Sequence, residues 1–134
     1  MRYIIGCFSL LLFISCEEEN EDNCTVNRIC TDIFSTVTIQ VTDQNGEPVI
    51  LDNYYTFFDQ RKRFDFTDSS FLLGEGVYVV ATDNEMPDIN FDGTNAVFVG
   101  QINGDNVVEE PLILGKDCCH IELVQGKTEI QIEL

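Results

Sequence analysis

The chain is 134 residues long and carries 24 acidic against 7 basic residues, a formal net charge of −17. A field of that sign repels phosphate backbones, which excludes nucleic acid as a natural partner and favours cations or a basic protein face. The length is that of one domain with one core, and the basic residues cluster only at Arg61-Lys62-Arg63.

From the N-terminus, "MRYIIGCFSLLLFIS" has one basic residue, Arg2, an apolar centre over Tyr3 to Ile14 and the small residue Ser15. That order predicts a secretory signal over 1–15. The apolar run is shorter than the roughly 20 residues a spanning helix needs. Ser15-Cys16 resembles the lipobox of bacterial lipoproteins, with Phe13 where an aliphatic residue is preferred, a looser pattern similar to that of Bacteroidetes-type lipoproteins. The resemblance implies cleavage before Cys16, a lipid on Cys16 and attachment to the outer membrane, with possible exposure at the cell surface. The competing expectation is an ordinary secretory signal with a structural Cys16. Residues 16–23 then form a lipidated cysteine and an acidic tether with nothing to bury. Acidic residues directly after such a cysteine resemble the surface-export signal of Bacteroidetes lipoproteins, and the competing expectation is a plain spacer that keeps the domain off the membrane.

Residues 24–134 form the domain. "STVTIQVT" alternates Val37, Ile39 and Val41 with polar neighbours, the period of a half-buried strand, and "DQNGEP" supplies a turn. "NYYTFFDQ" predicts a second strand, and "RFDFTD" a short edge strand with Phe64 and Phe66 on one face. "GVYVVATD" is apolar almost without interruption, which predicts a central strand. "NAVFVGQI" and "NVVEEPLIL" flank the hairpin loop "NGDN". Pro111 predicts an edge or a bulge, because proline cannot donate to a ladder. "HIELV", the turn "QGK" and "TEIQIEL" complete the chain. With no helical period of useful length, about seven strands predict an all-β, antiparallel two-sheet sandwich of transthyretin/Ig-like type.

"VTIQVTDQNGEPV" followed by "LLGEGVYVVATD" is similar to the carboxypeptidase regulatory-like, transthyretin-related β-sandwich domains, through Val41, Asp43, Gly46, Pro48, Gly76 and Tyr78. "RKRFDFTDSS" departs from the glycine-containing turn of that family. The tail "DCCHIELVQGKTEIQIEL" resembles that of small Bacteroidetes lipoproteins. These likenesses imply a non-enzymatic binding or adaptor module, with a protein or extracellular ligand as its partner and no obligatory cofactor.

Four cysteines, Cys24, Cys30, Cys118 and Cys119, remain in an exported chain and predict disulfides. Adjacent Cys118 and Cys119 would pair with each other only under strain, so they are expected to reach Cys24 and Cys30 in one of two connectivities. The same residues with His120 have the ligand types of a zinc site or of a Cys/His hydrolase, which requires free thiols. "DINFDGTN" spaces Asp88, Asn90 and Asp92 as the opening of a calcium loop does, with Asp83 as a further donor, although Val99 stands where an EF-hand needs glutamate. No cofactor is required on this reading; calcium at this loop is the alternative, with zinc at the cysteine cluster the less favoured one. Finally, Tyr54, Tyr55, Arg61 and Arg63 combine aromatic and basic side chains, as contact surfaces do. In a strand Tyr54 and Phe58 face opposite to Tyr55 and Phe57, so one set fills the core.

Overall fold

The computed structural model describes residues 24, 29–67 and 73–134. The signal, Cys16 and the acidic tether, together with the segment around Ser70, lie outside the described residues. Among the described residues eight strands are present rather than about seven: β1 (Thr36–Thr42), β2 (Asn53–Phe58), β3 (Lys62–Asp65), β4 (Val77–Thr82), β5 (Thr94–Ile102), β6 (Asp105–Lys116), β7 (Ile121–Gln125) and β8 (Glu129–Gln131). They form a three-stranded sheet ordered β4-β1-β8 and a five-stranded sheet ordered β3-β2-β5-β6-β7, packed as an all-β sandwich.

The alternation of β1 has the expected consequence. Ile39 and Val41 are fully buried, whereas the polar residues between them face outward. β5 and β6 form a long hairpin whose turn is Asn103-Gly104, both at positive φ as a two-residue turn between twisted strands requires. β3 is an edge strand, and Phe64 and Phe66 stack with ring centroids 6.4 Å apart. Pro111 lies where β6 has a neighbour on one side only, since β7 pairs with β6 from Ile113 onward.

Two expectations are corrected. β4 is not central but forms an edge of the smaller sheet. Its register against β1 jumps from Ala81 to Val79, so Val80 is an extra, bulged residue, and Tyr78 through Ala81 are all buried despite the edge position. Nor is the sandwich purely antiparallel: β8 runs parallel to β1, with Gln40 opposite Glu129 and Thr42 opposite Gln131. The chain reaches that place by crossing from β7 to the other sheet at Gly126. A Cβ there would lie 2.2 Å from Leu112 Cδ2, so the crossing needs a residue with no side chain.

Tyr54, Tyr78 and Phe98 meet between the sheets, with the two tyrosine rings 4.9 Å apart and nearly edge to face. The Tyr78 hydroxyl donates to Val49 O at 2.6 Å and accepts from Leu51 N at 2.9 Å. Thr56 is also fully buried, yet its hydroxyl has no partner among the described residues. These two hydroxyls should therefore respond oppositely to removal. Tyr78→Phe strands two backbone groups and is expected to cost about 1–3 kcal/mol, whereas Thr56→Val removes an unpaired polar atom at constant shape and is expected to stabilise. Urea midpoints that move in the same direction would refute this contrast.

Candidate functional site

Two regions collect the residues singled out by sequence. The first is the disulfide end. Cys24 is bonded to Cys118 and Cys30 to Cys119, with Cα atoms 5.4 Å apart in each pair. With all four sulfurs bridged, no thiolate is left at these four positions to bind zinc or attack a carbonyl. The first bridge closes a span of 94 residues and lowers the entropy of the unfolded chain by an amount equivalent to roughly 4–5 kcal/mol. Given that closure, the second closes only a short ring and adds about half as much.

His120 lies beside the bridges and is one of a series of hydrogen-bonded groups. Its Nδ1 is 2.9 Å from Asp83 Oδ2 and its Nε2 is 3.1 Å from Thr31 Oγ1. Asp83 also accepts from Ser35 N at 2.7 Å and Ile121 N at 2.9 Å, so one carboxylate fastens the N-terminal segment, β7 and the 3₁₀ helix Asp83–Asp88 together. Hydroxyl, imidazole and carboxylate stand in the order of a nucleophilic relay. Here each member belongs to a different segment and the arrangement joins those segments. Asp117 completes the junction by accepting from Cys119 N and His120 N at 2.6 and 2.8 Å.

The structure does not gather the proposed calcium ligands. Asp83 is engaged as described, and Asp88 pairs with Lys62 at 2.5 Å. Asn90 and Asp92 belong to an exposed turn entering β5, held by buried Ile89 and by the bond from Asn90 N to Thr94 Oγ1. Among the described residues, no three acidic, histidine or cysteine side chains are grouped as a metal ion would require. The alternate spacing of Asp88, Asn90 and Asp92 comes from a helix end at Asp88 followed by a turn into β5.

The second region is the outward surface of the five-stranded sheet. Register sets Tyr55 beside Val99 and Glu109, and Phe57 beside Val97 and Pro111. Tyr55 and Phe57 meet edge to face at 5.3 Å. Arg63 covers the Tyr55 ring, its Cζ 3.7 Å from the centroid, and pairs with Asp65 at 3.0 Å. Toward the hairpin the apolar strip is closed by a row of polar side chains: Thr67 to Asn53, Asn53 to Gln101, Gln101 to Asn106 and Asn106 to Glu109, at 2.6–2.9 Å. A shallow groove of about 340 Å³ runs between these borders, lined by Tyr55, Phe57, Gln60, Val97, Val99, Asn106 and Glu109.

Of the four residues proposed for contact, Tyr55 and Arg63 meet on this face. Arg61 stands at its border in the exposed turn after β2. Tyr54 does not belong to it: that side chain is in the core, its hydroxyl bonded to Phe66 O. Val97, Val99, Asn106 and Glu109 were missed, although "NAVFV", apolar at both alternating sets, signals a strand with two apolar faces. Among the described residues no helix is long and apolar enough to cross a membrane.

Partial burial of the Asp83 carboxyl pushes its pKa up, but the hydrogen bonds from Ser35, His120 and Ile121 outweigh this and hold it below the usual 3.8. Its contribution to stability is therefore present above the ordinary carboxylate value and is lost as pH falls through the lowered folded value. Asp83→Asn should flatten the decline of the melting temperature on the acid side and lower it at neutral pH; identical acid limbs would show that Asp83 is not its source.

Compared with known protein families, curated proteins and solved structures, the chain matches none, so its own residues are the basis for a functional reading.

Proposed function

We propose that the chain is a non-catalytic, lipid-anchored β-sandwich at the outer membrane, a binding or adaptor module that contacts a protein through the outward face of the five-stranded sheet. The observation that carries this reading is the polar-framed apolar strip of Tyr55, Phe57, Val97 and Val99, in which Phe57 and Val97 are half-buried and reachable while Tyr55 and Val99 are buried beneath their neighbours. An antiparallel sheet with one face on the core would ordinarily give the other face to polar residues. Here the centre of that face is aromatic and aliphatic, with a hydrogen-bonded polar row along its hairpin side and Arg63 over Tyr55, the arrangement of a contact with a dry middle and a polar border. The acidity of the chain favours a partner with a basic border. Lipidation at Cys16 agrees with the signal-like residues before it and the acidic spacer after it, and several acyl chains hold a soluble domain at a bilayer by about 0.8 kcal/mol per buried CH₂. The calcium-stabilised alternative has less support, because Asp83 and Asp88 already have partners.

A photo-crosslinking residue at Gln60 on the full-length chain in intact cells should capture one protein. The pair Phe57→Ser and Val97→Ser should reduce that capture about tenfold or more, the effect of removing over 1 kcal/mol at a contact centre, with an unchanged melting curve. Equal capture by the substituted and unsubstituted chains would sink the proposed surface. Cys16→Ala should release the protein from the membrane fraction and remove the lipid from its intact mass.

A further inference from the structure

Seven large hydrophobic side chains are exposed among the described residues, and three of them, Ile29, Ile33 and Phe34, fall within one six-residue stretch at 95%, 72% and 56% exposure. The base on which they stand is fixed at three places. Cys30 is bridged to Cys119, Thr31 bonds to His120, and Ser35 N donates to Asp83. Their exposure is thus a property of a braced segment and not of a loose end.

Distance along the chain limits what these side chains can meet. Cys24 is held against Cys118 by its disulfide. Only the seven residues from Glu17 to Asn23 separate it from Cys16. Eight residue steps span at most about 28 Å when fully extended. We infer that Ile29, Ile33 and Phe34 form a membrane-contact patch that rests in the lipid interface, so that the domain sits on the bilayer with its disulfide end down. This rests on the lipid anchor proposed above. A lipid at Cys16 confines the disulfide end to the vicinity of the headgroups, where apolar side chains gain by partial insertion. The net charge of −17 opposes approach to anionic lipid, so the contact suits a zwitterionic surface. The orientation also leaves the hairpin turn Asn103-Gly104 and the turn after β1 pointing away from the bilayer, because β1 runs from Ser35 toward that far end.

The chain contains no tryptophan, so one placed at a chosen position reports alone. The test uses the full-length lipidated protein carrying Phe34→Trp, purified from membranes and reconstituted on phosphatidylethanolamine vesicles containing a minority of phosphatidylglycerol. Flotation reports the anchor, and tryptophan emission reports the contact. The expected result is flotation with a blue-shifted emission that brominated lipid quenches, no such change for Asp105→Trp at the hairpin, and reversal of the shift when Ile29→Asp and Ile33→Asp are added. Flotation with an unshifted, unquenched emission would overturn the contact and leave the anchor standing. Failure to float would overturn both. A shift that grows with protein concentration in the absence of vesicles would assign the patch to a second copy of the chain instead.

Discussion

The Tyr78 hydroxyl is the point on which the sandwich turns. It belongs to the smaller sheet, yet both its hydrogen bonds go to the connection that leads into the larger one, at Val49 and Leu51. Burial raises its pKa, so it remains a neutral donor and acceptor throughout the ordinary range. Just before it, Gly76 at positive φ accepts from Val41 N with its carbonyl and leaves no room for a side chain against Pro48. Asp43 folds the intervening turn by accepting from Asn45 N and Glu47 N, and the same bonds hold its carboxyl below the usual range. Residues far apart in sequence, Val41, Asp43, Pro48, Gly76 and Tyr78, therefore make one connected device that sets the position of the two sheets.

What was legible in the sequence was local. Alternation identified β1, turn chemistry identified the β5–β6 hairpin, and the paired aromatics of β3 announced an edge strand. The parallel placement of β8 was not legible, because it depends on where the chain crosses between sheets at Gly126, a long-range event. Continuous apolarity misplaced β4, since a bulged edge strand buried along its length looks the same as a central one. The inner and outer sets of β2 were separable, but their assignment was not. Thr56 would ordinarily mark the outward set, and it lies instead in the core with Tyr54 and Phe58.

The same distinction applies to the sites. Residue types suggested metal or thiol chemistry at Cys118-Cys119-His120, whereas the fold uses them for covalent closure and a hydrogen-bonded junction. The outward face of the larger sheet is the reverse case. Its aromatic and basic members Tyr55 and Arg63 could be read from the sequence, but the valines, amides and carboxylates beside them join the strip only through strand register.

The two disulfides also determine how force travels. A pull on the chain from upstream of Cys24 passes through sulfur to Cys118, at the turn between β6 and β7. From there it enters the end of β6 directly, without crossing the hydrogen bonds of β1. If the outward face of the larger sheet is held at the same time, the load runs along β6, which pairs with β5 from Asp105 to Leu114 and with β7 from Ile113 to Lys116. The domain is therefore built like a strap with its buckle at the disulfide end, able to bear tension in shear along its longest strand while the smaller sheet stays unloaded.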